Sequence, residues 1–240
     1  MQNPLFWAGY IQEVIIPHYE HLEKAFFEKV LPAFEAVESE AEQISNEKWE
    51  RLIRQPGDPD DDDLSDLAGE AIEEGVSYHI IMMDIRQGLL NNFAVGIWHL
   101  FEQHLLVIHR RELLKPHEEN DEKLLKLCEI TKRLKQNGID IEKFLSWDKL
   151  DELRLVANTV KHTDGRSCAQ LKKRRPEIFI PPGAHSDHFR INAPPPTQLL
   201  KPLAGEDFYL MPEEIRSYFK TVRDFWEELL EILRKDSRGI

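Results

Sequence analysis

The sequence predicts an all-α protein, a helical bundle built around one long spine helix, with an irregular, proline-rich insertion before the C-terminal helix. Three observations carry this. Apolar residues recur at three- and four-residue spacings over most of the chain, which is the period of an amphipathic helix. The longest such stretch, residues 76–114, contains no proline. No run alternates apolar and polar residues strongly enough to make a sheet.

The elements follow in order. Residues 1–55 form an N-terminal helical region in which Leu22, Phe26, Val30 and Phe34 mark one stripe. Pro17 and Pro32 are expected to break or kink it. Residues 56–70, which include "PGDPDDDD", read as an exposed acidic loop, because a block of like charges with proline and glycine cannot pack. The stretch lacks the alternating spacing of a calcium loop. The spine helix is expected over residues 78–114. Met83, Leu90, Ile97 and His104 fall on one heptad line, with Phe93, Leu100 and Val107 on the next. Pro116 ends it.

A shorter helix follows, capped by Asn120 or Asp121 and stopped by Gly138. The next helix starts from a Ser or Asp cap near residue 146 and runs to Gly165. Residues 176–211 are an irregular excursion, with a short strand pair expected at 178–180 and 208–210. Pro212 opens the last helix, 212–236, whose apolar stripe is Ile215, Phe219, Val222, Trp226 and Leu229. The whole chain, 1–240, reads as one helical domain.

Composition sets limits on function. The chain has 240 residues, 41% hydrophobic and 31% charged, which suits a globular protein with a sizeable core. Its net charge of -13 works against nonspecific coating of nucleic acid, so any RNA contact needs a local basic patch. Cys128 and Cys168 form no CxxC motif, which argues against structural zinc and for a reducing, cytoplasmic setting. The N-terminus lacks the basic region of a signal peptide. No apolar run is long enough to span a bilayer, so no membrane contact is expected. No phosphate-binding glycine loop, nucleophile elbow or zinc-protease motif is present.

Chemistry concentrates near the end of the 146–165 helix. Arg154, Asn158 and His162 are spaced by four and share a face, while Leu153, Val156 and Val160 mark an apolar one. Lys161 flanks the polar stripe. A histidine can act as general acid or base near neutral pH, and Arg or Lys can stabilise charge on a phosphate. The same residues also read as a solvated helix end, favoured there by the helix dipole. The basic run Lys172, Lys173, Arg174 and Arg175 lies close in sequence and could clamp an RNA backbone, or simply be solvated. On the spine, His99 and Glu102 stand at i and i+3. A metal-binding bundle would need more Glu-x-x-His pairs than "HLFE" and "HYEHLE" supply, so no metal or cofactor is expected. His104 reads as a hydrogen-bonded core histidine.

The stretch "ANTVKH", residues 157–162, with the long spine helix before it, resembles the HEPN domain family over about residues 75–170. Asn158 and His162 match the Asn and His of that family's "RN-x-x-x-H" motif. Ala157 stands where its Arg belongs, and Arg154 is the nearest upstream Arg. The resemblance implies metal-independent RNA cleavage in a toxin or antiphage role, with His162 as acid/base, Asn158 as positioner, Arg154 and Lys161 stabilising charge, and Glu102 supporting His162. It also implies a homodimer through the motif helices, and a protein partner such as an antitoxin or defence-complex subunit. On this reading Ala157→Arg restores the motif and raises cleavage. Family members without the motif serve as binding or regulatory modules, and that is the alternative reading: a non-catalytic helical module that recognises a protein.

Overall fold

A computed structural model describes residues 3–54, 64–118, 120–183 and 194–236. Every regular element in them is helical. The chain begins with α1 (Pro4–Tyr10) and α2 (Ile16–Ala25), joined by a π-helical turn, Ile11–Ile15. A second π turn, Phe26–Val30, and a 3-10 turn, Leu31–Phe34, continue the run. Pro17 and Pro32 do not break it. Each falls in the first turn of a new segment, where its missing N–H matters least. Trp7, Ile11, Ile15 and Tyr19, spaced by four, are all buried. In an α-helix such a row drifts by about 40° per step, and the wider π turn takes that drift back.

After α3 (Val37–Ile53) comes the spine, α4 (Leu64–Ile108), extended by a π turn, His109–Leu113. It begins well before the expected residue 78. Residues 64–70, read from sequence as part of the acidic loop, are its first turns, and residues 56–63 lie outside the described residues. Leu67 and Ala71 already follow a helical spacing, and Asp66 in the first turn suits the helix N-terminus. At 45 residues, α4 is about 67 Å long.

Its two halves differ. Between residues 64 and 86 only Ala71 and Gly75 are buried. Both face α3, where a Cβ on Gly75 would lie 2.0 Å from Ser45 Oγ. From Gln87 to Ile108 ten residues are buried, among them Ile97, Trp98, Phe101 and Leu105. This half is the centre of the core, and α6 (Trp147–His162) and α8 (Pro212–Asp236) pack on it. The expected stripe of α8 is fully inside, each of its five residues at most 1% exposed. Phe101 meets Phe225 edge-on with ring centroids 4.8 Å apart.

The connecting pieces depart more from expectation. Asp121 does act as a cap, accepting from Lys123 N at 3.0 Å, but it caps the 3-10 turn Glu122–Leu125. α5 (Leu127–Gln136) starts later and stops at Gly138, whose φ is +85°. Arg133 clamps Glu118 with two bonds of 2.8 and 2.9 Å, tying α5 to the end of the spine. α6 ends at His162, with Thr163 at φ 54°. Gly165 is extended and opens a further helix, α7 (Arg166–Arg174), so the basic run is mostly helical.

No strand pair forms among the described residues. Two 3-10 turns, Pro176–Phe179 and Pro202–Ala204, appear instead, and one backbone bond, Tyr209 N to Ile178 O at 2.7 Å, joins the segments where the pair was expected. The excursion is docked on α4 by polar groups. Asn91 Nδ2 donates to Pro202 O and Phe208 O, and Gln87 Nε2 donates to Leu210 O. Gly205 (φ +95°) sits so close to the spine that a Cβ would lie 2.0 Å from Asp84 O.

Candidate functional site on α6

α6 is a core helix first. Leu150, Leu153, Val156, Ala157 and Val160 are at most 1% exposed. Its start is held from outside: Glu228 on α8 accepts from Leu145 N and Ser146 N at 2.7 and 3.1 Å. Ser146 is the N-cap residue but makes no side-chain cap bond. What α6 offers the surface is a narrow polar strip with Arg154 and Asn158 half-buried and Lys161 and His162 exposed. The four-residue spacing therefore does place these side chains along one exposed edge.

Arg154 and His162 do not converge. Arg154 donates from Nε to Asp151 Oδ1 at 2.8 Å, toward the start of the helix. His162 lies two turns further on, about 12 Å along the axis. Among the described residues no hydrogen bond or ion pair engages the His162 ring or the Asn158 amide. Position 157, where the HEPN motif carries Arg, is 0% exposed and faces the core.

Glu102 sits half-buried on α4 against this strip. Burial raises its carboxyl above the ordinary value, opposed by the positive charges of Lys161, His99 and Arg154. Glu102 and His99 line a cleft of about 150 Å³ with Leu127. Leu127 also borders a wider cleft of about 490 Å³ between α5 and α6, lined by Lys132, Lys135, Trp147 and Arg154 among others.

The basic run is largely spent inside the molecule. Glu152 on α6 is only 4% exposed, and its Oε1 accepts from Lys149 at 2.5 Å, Arg175 at 2.7 Å and Tyr218 at 3.0 Å. Arg174 pairs with Asp148 at 2.5 Å and reaches Glu152 Oε2 at 3.4 Å. Arg175 also holds Glu177 and Glu214. Burial works against the Glu152 charge, but Lys149 and Arg175 outweigh it and keep the carboxyl below its usual range. Lys172 donates to Pro196 O at 2.7 Å and lies over the Phe179 ring. Lys173 alone of the four is exposed. Arg174 and Arg175 of the basic run are therefore a bolt between α6, α7 and α8.

His104 was expected to be a hydrogen-bonded core residue. It is half-buried against His18, Tyr19 and Trp226, and its Nε2 has no hydrogen-bond partner among the described residues. Among the described residues no three His, Cys, Asp or Glu side chains gather into a metal-binding group, and no helix is long and apolar enough to cross a membrane.

Sequence reasoning passed over one surface feature. Ile72, Val76 and Ile80 on the outer half of α4 are 50 to 59% exposed, and Met83 continues their line. The signal was present as a four-residue apolar repeat, but in a core helix such a repeat reads as interior. No family model, curated protein or solved structure matches the chain.

Proposed function

We propose that this chain is a non-catalytic, HEPN-like helical module that acts by binding a protein partner. The observation that carries the reading is the apolar row Ile72, Val76, Ile80 and Met83, left uncovered among the described residues. A contiguous apolar strip on a surface helix marks an interaction site more often than a neutral surface. The motif region supports the same reading from the other side. An acid/base histidine needs a charge stabiliser within reach of the same phosphate. Here Arg154 is drawn to Asp151, position 157 is core, and Arg174 and Arg175 are paired with carboxylates.

The second reading, a metal-independent endoribonuclease in a toxin or antiphage role, draws on one observation: Lys161 and His162 stand exposed together at the end of α6. A homodimer through α6 would have mainly that polar strip to use. The readings separate in an RNA cleavage assay in excess EDTA, with His162→Ala beside wild type. No cleavage by either protein supports the binding module, and cleavage lost in the variant sinks it.

A further inference from the structure

The uncovered row belongs to a helical hairpin. α3 packs along residues 64–86 of α4, with Tyr78 OH donating to Glu40 at 2.6 Å and Lys48 bridging Glu70 and Glu74 at 2.6 and 3.2 Å. At 100° per residue Ile72, Val76, Ile80 and Met83 lie within an arc of about 80°, beside the face that α3 covers. At its inner end the row opens into a groove of about 380 Å³, lined by Leu31, Phe34, Val37, Met83 and the polar His79 and Arg86. Two helices in one layer leave an apolar side without a second layer, and a third helix laid along the row would supply it.

Charge says which kind of helix. α3 and residues 64–86 together hold ten Asp or Glu against three Lys or Arg. Lys48 and Arg51 are already paired with Glu70 and Glu74. Glu73 and Asp84 border the row on α4, and Glu38 and Glu42, one turn apart on α3, follow on the other side. A second copy of this hairpin would bring two strongly acidic surfaces together, which electrostatics opposes.

Building on the binding-module reading, we propose that the row Ile72, Val76, Ile80 and Met83 is the docking site for a basic amphipathic helix of a partner protein. The partner's apolar residues at i, i+3, i+4 and i+7 cover the row. Its flanking Lys and Arg meet the carboxylates of the hairpin. The contact length calls for about 12 to 15 helical residues, roughly 20 Å.

The probe is a fluorescein-labelled 18-residue designed helix with a Leu stripe flanked by Lys, beside the same peptide with Glu in place of Lys. Binding to the full chain is read by anisotropy at low salt and at 0.5 M NaCl. The Lys peptide should bind at least about tenfold more tightly than the Glu peptide and weaken with salt. The charge-neutral double variant Val76→Ser/Ile80→Ser should lose about tenfold in affinity for the Lys peptide. Its circular dichroism should match wild type, since both side chains are exposed. Equal binding of the two peptides, no binding of either, or undiminished binding by the folded double variant overturns the proposal. So does light scattering that shows a dimer which Val76→Ser/Ile80→Ser dissociates, because the occupant is then a second copy. RNA cleavage that depends on His162 would defeat the binding-module reading, whatever the peptides do.

Discussion

Arg154 is bound to Asp151, its Nε 2.8 Å from Oδ1 and its Nη2 2.7 Å from the same oxygen. That pairing draws the guanidinium toward the start of α6, while His162 stands at the other end. Two residues that share a helical face thus serve different neighbourhoods. The spacing was legible in the sequence, but the carboxylate that captures Arg154 lies three residues upstream and decides the direction of the side chain.

Ala157→Arg should not awaken a nuclease. The position is 0% exposed, and a guanidinium there would be both oversized and unpaired. The variant should lose about 3 kcal/mol or more of stability, seen as a lowered thermal midpoint by circular dichroism, with no cleavage gained. A stable variant that cleaves RNA would show that the pocket around position 157 opens to solvent.

Arg175→Ala should destabilise the protein by about 2 to 4 kcal/mol, because it leaves the buried Glu152 carboxylate with one cation fewer. Lys173→Ala, at an exposed site, should stay within about 0.5 kcal/mol of wild type. Urea unfolding of both variants checks the contrast. Equal, small effects would return the basic run to the surface role that its sequence suggests.

Gly205→Ala should be destabilising by about 2 kcal/mol or more, since φ is +95° and the added Cβ would meet Asp84 O at 2.0 Å. Asn91→Leu should cost about as much, by leaving Pro202 O and Phe208 O without their donor. Both are read by chemical denaturation. Wild-type stability in the pair would mean that the excursion is not fastened to α4 in this way.

The legible part of the fold was the part with a period. α8 and the inner half of α4 carry apolar residues every three or four positions, and that pattern identifies a buried face. Gln87 and Asn91 lie on the same buried face but are polar, so their role as anchors depended on carbonyls more than a hundred residues away. α7 escaped notice because it is short and its two buried residues, Cys168 and Leu171, stand in a Lys- and Arg-rich segment. The start of α4 was hidden by the aspartates before it. In the site, the sequence placed Lys161 and His162 on the exposed end of a helix. Which α6 side chains stand near Glu102 is not legible there, because that depends on how α4 and α6 rotate against each other.

Acid should weaken the fold through His104. Burial, aided by the nearby His18, lowers its pKa from 6.5 to about 4. The folded state therefore favours the neutral ring. Its contribution is fully present above pH 6.5 and is lost as the pH falls through about 4. His109, lowered by burial and by Arg133, acts in the same direction. The drop in thermal midpoint between pH 7 and pH 4 should be smaller in His104→Leu than in wild type. An identical drop would remove His104 as a source of acid sensitivity.

If the chain is a binding module, α6 is catalytically silent, and single-turnover cleavage decides the matter. Protein in excess is incubated with 5′-labelled single-stranded RNA and with folded transfer RNA, in EDTA, with His162→Ala run in parallel. Intact RNA is expected in every lane, with wild type and variant alike. Discrete cleavage products that appear with wild type and vanish with His162→Ala would overturn the binding-module reading.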